Sequence, residues 1–253
     1  MRILLTNDDG INAPGIQALW RELATIGEVT VVAPDSERSA TSQSITVHHP
    51  IRVDQFCIDD PPLCAWRVGG TPTDCVKMAV EALLPVKPDV VVSGINQGPN
   101  MGTDVLYSGT VSAAIEGALH GIPAIAVSLA TFKPADFRPA ARFARKLVLE
   151  LAERTLPPDT LLNVNVPPLP DEALAGVEVT TLGVIEYENT FERREDPRGR
   201  IYYWMGGSLK DTDNKDGTDV MAVKKGKISV TPIHFDLTNY GIIKLIKEWN
   251  LAT

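Results

Sequence analysis

The sequence predicts an α/β protein: a Rossmann-like, mostly parallel sheet flanked by helices. Three observations carry this. Short β-branched runs alternate with longer segments of helical period up to about residue 130, the pattern of βαβ units. The runs are almost continuously apolar, as in strands covered by helices on both faces. The stretches between them carry helix start and stop signals.

Ile3-Leu4-Leu5 opens the sheet, followed by Val29-Thr30-Val31-Val32, then by Val90-Val91-Val92 as third strand and Ile125-Ala126-Val127. In Thr71-Pro72-Thr73-Asp74, Thr71 is placed as an N-cap, Pro72 sits at the first helical position, and Asp74 supplies the capping-box carboxylate. Val76, Ala79, Val80 and Leu83 then face inward. A second helix begins near Ser108-Gly109-Thr110 and runs through Val111, Ala114, Ile115 and Ala118 to a stop at Gly121. A third covers about Phe137 to Arg154. Strand-like runs follow at Leu161 to Val166 and Val177 to Leu182.

Beyond these, a charged segment from Glu192 to Arg200 lies between Tyr187 and Tyr203, which reads as an extended hairpin. Asp196-Pro197-Arg198-Gly199 suits its type I turn, with Asp first, Pro second and Gly fourth. So long and polar an arm covers a cleft or embraces another subunit, and an oligomerisation role is expected. The whole of 1–253 is read as a single α/β domain, with a core over about 1–182 and the hairpin and C-terminal elements over about 183–253.

Composition narrows the function. The chain carries 32 Asp+Glu against 24 Lys+Arg, a formal net charge of −8, and its basic stretches are no longer than pairs. Long nucleic acids are unlikely partners for such a surface. At 44% hydrophobic and 22% charged the composition is that of a globular protein. Met1 to Thr6 runs straight into Asn7-Asp8-Asp9, without the apolar stretch of a signal peptide, and Ala124 to Ala130 is too short to cross a bilayer. Cys57, Cys64 and Cys75 form an odd set without Cys-x-x-Cys spacing, which argues against a disulfide framework or zinc ribbon. A cytoplasmic protein is expected, with Cys75 an inert residue inside an apolar helical pattern.

The chemistry concentrates where strands end. Thr6-Asn7-Asp8-Asp9-Gly10 puts two adjacent carboxylates at the tip of the first strand, and open α/β sheets bind ligands beyond the carboxyl ends of their strands. Two such carboxylates repel unless protonated or bridged by a cation, for which a hard divalent metal is the common solution. A polar turn in which Asp9 caps the next helix explains the same residues, and both readings stay open on them alone. After Val92, Ser93-Gly94-Ile95-Asn96-Gln97-Gly98 is a Gly- and Asn-rich loop, where Asn96 offers an oxygen to a metal or an NH₂ to a phosphate, or merely tolerates a turn. Tyr107-Ser108-Gly109-Thr110 opens a helix, so free N–H groups and the positive end of the dipole meet two hydroxyls there: an anion site, or an ordinary cap. Ser39 belongs to a hydroxyl-rich loop after the second strand. Together these point to phosphate plus metal at one sheet edge.

Several motifs fail. Gly10 to Gly15 has P-loop glycine spacing but is followed by Ile16-Gln17 in place of Lys and Ser/Thr, and no Gly-x-Gly-x-x-Gly follows a strand. Asp211 to Gly217 places its glycine seventh and Ala222 twelfth, so it is no EF-hand.

The sequence resembles the SurE family (survival protein SurE, metal-dependent nucleotidases) over nearly its whole length. The matching motifs are Thr6-Asn7-Asp8-Asp9-Gly10, Pro34-Asp35 with Arg38-Ser39, Gly70-Thr71-Pro72 with Asp74-Cys75-Val76, Ser93-Gly94-Ile95-Asn96, and Tyr107-Ser108-Gly109-Thr110-Val111. A late match is Ser229-Val230-Thr231-Pro232 with Asp236-Leu237-Thr238. The resemblance implies a 5′-nucleotidase acting on nucleoside 5′-monophosphates, often also 3′-monophosphates, and in some members on short polyphosphate. It implies one Mg²⁺ or Mn²⁺ per subunit, held by Asp8, Asp9, Ser39 and Asn96. A homodimer or homotetramer exchanging C-terminal elements is implied as well, in agreement with the arm.

The mechanism expected of this set is metal-assisted attack of water on the phosphate, whose oxygens are held by Asn96, Ser108, Gly109 and Thr110, with Asp8 accepting the water's proton. His48, His49, His120 and His234 lie in segments read as structural, and a histidine near the phosphate is the alternative acid or base. Two rival functions remain: a phosphatase with Asp8 as nucleophile, although Asp-Asp lacks the Asp-x-Asp spacing of the haloacid-dehalogenase class, and a nucleotide-binding module without turnover. Trp66, Tyr107 and Phe191 are the aromatics considered for stacking on a base.

Overall fold

A computed structural model of the chain describes residues 1–59, 62–210, 212–249 and 251. The strands are β1 (Arg2–Thr6), β2 (Glu28–Pro34), β3 (Val53–Asp59), β4 (Pro62–Val68), β5 (Val90–Gln97), β6 (Ala124–Leu129), β7 (Thr160–Val166) and β8 (Val177–Val179), then β9 (Tyr187–Glu188), β10 (Phe191–Glu195), β11 (Ile201–Met205), β12 (Ser208–Leu209) and β13 (Ile228–His234). The helices are α1 (Pro14–Leu23), α2 (Pro72–Met78), α3 (Gly109–Leu119), α4 (Arg138–Glu153), α5 (Asp219–Lys224) and α6 (Ile243–Lys247).

Nine strands form the central sheet in the order β3-β4-β2-β1-β5-β6-β7-β13-β8. From β4 to β7 all neighbours are parallel. Taken in chain order, these six strands have the doubly wound arrangement 3-2-1-4-5-6, which reverses direction between β1 and β5. Alternate residues of the apolar strands serve two cores. Ile3, Leu5, Val31, Val90 and Val92 pack with α1 and α4, while Leu4, Val32 and Val91 pack with α2 and α3. This is why the strands read as unbroken apolar runs.

The helix signals correspond to real ends. Thr71 caps α2 in a capping box with Asp74, and Ser108 caps α3, its hydroxyl accepting from Val111 N. Val76 and Ala79 are fully buried, and Val80 and Leu83 pack on the same core. Cys75 is buried, and burial pushes its thiol well above the ordinary value.

Two expectations need correction. Val90 opens β5 and not the third strand, because β3 and β4 form an antiparallel pair on the sheet edge beforehand. Of these two only β4 pairs with β2, and its apolar run Leu63-Cys64-Ala65-Trp66, framed by Pro62 and Arg67, carries no β-branched residue to mark it as a strand in isolation. The run Val177 to Leu182 is strand only over β8, a sheet-edge segment whose Val177 and Val179 are exposed.

β10 and β11 pair as the expected hairpin, closed by Gly199 N donating to Asp196 O at 3.0 Å. Its Phe191, Tyr203, Trp204 and Met205 are exposed. β13, from beyond residue 182, lies inside the central sheet between β7 and β8. Among the described residues no helix is long and apolar enough to cross a membrane.

Candidate active site

The switch point between β1 and β5 is where the carboxylates sit. Past Thr6 the chain turns sharply, Asn7 Nδ2 donating to Gly10 O at 2.8 Å and Ile11 N to Pro34 O at 2.9 Å. α1 begins at Pro14 with Ala13 as its N-cap, without a side-chain cap. Asp9 is therefore no helix cap. Its Oδ2 instead accepts from Gln97 N at 3.1 Å, which ties the tip of β1 to the end of β5.

Asp8 is buried, and its Oδ1 accepts from Thr110 Oγ1. Its backbone oxygen accepts from Arg38 N at 2.7 Å, drawing in the loop after β2. Burial raises the Asp8 carboxyl to about 6, with Asp9 adding to the rise and Thr110 opposing it. Burial likewise raises Asp9, Gln97 N opposing and Glu37 reinforcing. Gly109 lies hard against this carboxylate: a Cβ there would stand 2.9 Å from Asp8 Cβ and 3.0 Å from Oδ2. Only glycine fits.

The remaining residues are positioned by pinned loops. The Ser39 loop is held by Ser42 Oγ donating to Leu106 O, Thr46 Oγ1 to Asp74 Oδ2, and Thr71 Oγ1 to Ser44 O. Ser39 is exposed and donates to Glu37 Oε1 at 2.6 Å. β5 breaks register between Gly94 and Asn96, and Gly94 has φ +138 with no room for a Cβ beside Val127 O. Asn96 then turns its Nδ2 onto Gly98 O at 2.8 Å, which leaves Oδ1, an acceptor, as the end without a partner among the described residues. Asn100 is fixed by a buried amide network, accepting on its backbone oxygen from Asn163 Nδ2 and Asn165 Nδ2 and donating to Ser128 Oγ. Asp219, fully buried, accepts from Gly102 N and Gly183 N, both at 2.8 Å, joining the short 3₁₀ helix Gly102–Tyr107 to the base of the arm.

These loops enclose a pocket of about 300 Å³ lined by Asp8, Asp9, Ser39, Asn96 and Ser108, with Tyr107 on its wall. Glu37 and Asp104 line it too, and among the described residues no Lys or Arg does. Four carboxyl groups without a cationic side chain call for a cation, and an all-oxygen donor set selects a hard one. Among the described residues no three His, Cys, Asp or Glu converge to hold a metal, and Ser39 and Asn96 stand beside the carboxylate pair in the pocket lining.

One predicted role changes. The Thr110 hydroxyl is buried and engaged by Asp8, and its backbone N–H also faces that carboxylate. Ser108 caps α3 through its hydroxyl and also lines the pocket. Of the aromatics, Trp66 packs on the core and Phe191 stands on the arm. Sequence reasoning missed Glu37, Gln97 and Asp104. Gln97 acts through its main chain, which leaves no mark on residue type, whereas the acids follow Ser36 and Thr103 in loops already rich in ligand chemistry.

The family model for survival protein SurE matches residues 3–189. The chain belongs to the SurE family. A protein named 5′-nucleotidase SurE from Heliobacterium modesticaldum is 58% identical over 249 residues, covering 98% of this chain and 92% of the relative. One of the same name from Pelotomaculum thermopropionicum is 55% identical, over 98% of this chain and 95% of the relative. The crystal structure of the SurE protein from Aquifex aeolicus superposes with a TM-score of 0.86 at 40% identity, covering 98% of this chain and 99% of that one. The matched span 3–189 takes in the switch point between β1 and β5, and β13 lies beyond it.

Proposed function

We propose that the chain is a metal-dependent 5′-nucleotidase that hydrolyses nucleoside 5′-monophosphates to nucleoside and phosphate. The observation that carries this reading is the pair Asp8 and Asp9, side by side in an acid-lined pocket next to the first turn of α3. The names of relatives at 55–58% identity over nearly the full chain support it.

In this reading Asp8, Asp9, Ser39 and Asn96 hold one Mg²⁺ or Mn²⁺ per subunit, which supplies charge neutralisation and Lewis-acid polarisation of the phosphate. The N–H of Gly109, at the positive end of α3, holds a phosphoryl oxygen along with Ser108, while the backbone N–H and hydroxyl of Thr110 serve Asp8. Thr110 holds Asp8 in place by its hydroxyl. The Asp8 carboxylate accepts the proton of the attacking water. A phosphorylated Asp8 is disfavoured, because the adjacent Asp8-Asp9 pair lacks the Asp-x-Asp spacing that separates nucleophile from acid. Activity on 3′-monophosphates and short polyphosphate belongs to the same proposal, since the pocket reads a phosphoryl group. Assembly of copies through the arm is proposed from its exposed apolar side chains.

Phosphate release from AMP in the presence of Mn²⁺ tests the reading. Asp8→Asn and Asp9→Asn are expected to abolish it with the fold intact by circular dichroism, and excess EDTA to stop the wild-type protein. Full turnover in EDTA refutes the metal role, and AMP binding without phosphate release favours the non-enzymatic module.

A further inference from the structure

The loop that carries Ser39 reaches the pocket without a buried side chain to place it. None of residues 39–47 is buried, and the apolar Ile45 and Val47 are exposed. Its backbone also runs against preference: Ala40 at φ +55 and Ser42 at φ +52 lie in the left-handed region, which is unfavourable for residues with a Cβ. Such a conformation persists only where the surroundings over-determine it. Here the surroundings are hydrogen bonds, and several of them end on two buried acids that the proposed chemistry does not use.

Asp74 caps α2 by accepting from Thr71 N on Oδ2 at 2.9 Å. Its other two bonds leave the helix: Oδ1 accepts from Thr46 N at 3.0 Å and Oδ2 from Thr46 Oγ1 at 2.6 Å. Glu116, further along α3, accepts on Oε2 from Gln43 Nε2 at 3.1 Å, and its Oε1 faces His120 Nε2 at 3.3 Å and Lys77 Nζ at 3.9 Å. Upstream of Ser39, Arg38 N donates to Asp8 O at 2.7 Å. Because α2 and α3 pack on one another, both acids refer the loop to one helix pair, and α3 is also the helix that brings Ser108 to the pocket.

We propose that Asp74 and Glu116 are positioning residues, which act through Thr46 and Gln43 to hold the Ser39 hydroxyl in the pocket with Asp8 and Asp9 against the strain of its own loop. The proposal rests on Ser39 as a cation ligand and deepens the metal-dependent reading. Replacing the acids themselves would mix two roles, since Asp74 also caps α2 and Glu116 is buried beside His120 and Lys77. The bonds are therefore broken from the loop side, where Gln43 is exposed and Thr46 half-buried.

Calorimetry with Mn²⁺ on the full chain, without AMP, tests this. The double variant Gln43→Ala, Thr46→Val is expected to weaken Mn²⁺ binding about tenfold, the scale on which partners that orient a ligand act, and Ser39→Ala to weaken it at least as much. Thr46→Ser keeps the donor and is expected to restore the wild-type affinity at that position. The deciding arm adds the two loop substitutions to Ser39→Ala. No further loss is expected there, because a positioning role vanishes with the group it positions. A loss that persists in the Ser39→Ala background overturns the proposal, since the bonds would then serve the fold at large. An unmoved Mn²⁺ affinity in the double variant overturns it too. A wild type that takes up no Mn²⁺ defeats the metal reading and the positioning role together. A wild type that binds Mn²⁺ with the loop and Ser39 coupled as expected, yet releases no phosphate from AMP, defeats the nucleotidase reading alone.

Discussion

Thr110 Oγ1 donates to Asp8 Oδ1 across 102 residues of chain, at 2.5 Å, clamping the first turn of α3 onto the tip of β1. The bond joins the two halves of the proposed chemistry, the cation-holding carboxylate and the helix end that receives the phosphate. It also keeps Asp8 in one rotamer where burial favours its neutral form.

Thr110→Val preserves shape and removes that donor, leaving a buried carboxylate oxygen unsatisfied at a cost of about 1–3 kcal/mol. Manganese affinity by calorimetry and kcat/KM for AMP are both expected to fall about tenfold, and Thr110→Ser to restore most of each. Equal activity in the valine variant would show that the clamp is dispensable.

Gly109→Ala introduces a methyl 2.9 Å from Asp8 Cβ. Neither partner has room to yield, because Asp8 is buried and Gly109 sits in the first turn of α3. Turnover of AMP is expected to drop at least tenfold, on the order of 1–3 kcal/mol of overpacking. Thermal denaturation is expected to show a smaller loss, so that activity fails before folding does.

Asp89 is held at about 2 by the Arg2 guanidinium and then by the Arg2 backbone N–H, which together fasten β1 at its start. Its folded value lies below the unfolded one, so its stabilisation is complete above about pH 4 and disappears as pH falls toward 2. Asp89→Asn is expected to lower stability in urea at pH 7 and to narrow the gap to wild type as pH drops below 4. Both side chains are more than 40% exposed, and screening limits the effect to about 0.5 kcal/mol. A gap that widens on acidification contradicts the sign.

The arm carries Tyr203 and Trp204, both 59% exposed on β11. The double substitution Tyr203→Glu and Trp204→Glu is expected to convert an oligomer to a monomer in sedimentation velocity. A wild type that already sediments as a monomer removes the assembly role.

Much of the architecture is legible along the chain. β1, β2, β5 and β6 announce themselves because strands sandwiched between two helical layers need apolar side chains on both faces. α2 and α3 announce their first residues because Thr71 and Ser108 satisfy N–H groups that water would otherwise serve. β4 is silent, since its run Leu63 to Trp66 carries no β-branched residue and its place in the sheet is set by pairing with β2 and β3. The site is legible in part: Asp8 and Asp9 stand out as adjacent carboxylates after a strand, while Glu37, Gln97 and Asp104 are ordinary loop residues until the loops meet.

What the sequence determined by itself is the set of segments and the acidic pair, because hydrophobic period and helix capping depend on residues a few positions apart. Only the tertiary structure decided which groups the pair meets. Asp9 reads equally as a helix cap until Gln97, 88 residues on, is seen to donate to it, and the Thr110 hydroxyl reads as a phosphate ligand until it is found on Asp8. The order of strands in the sheet sets which loops converge at the switch point, and that order is fixed by packing between distant segments, which no local pattern encodes.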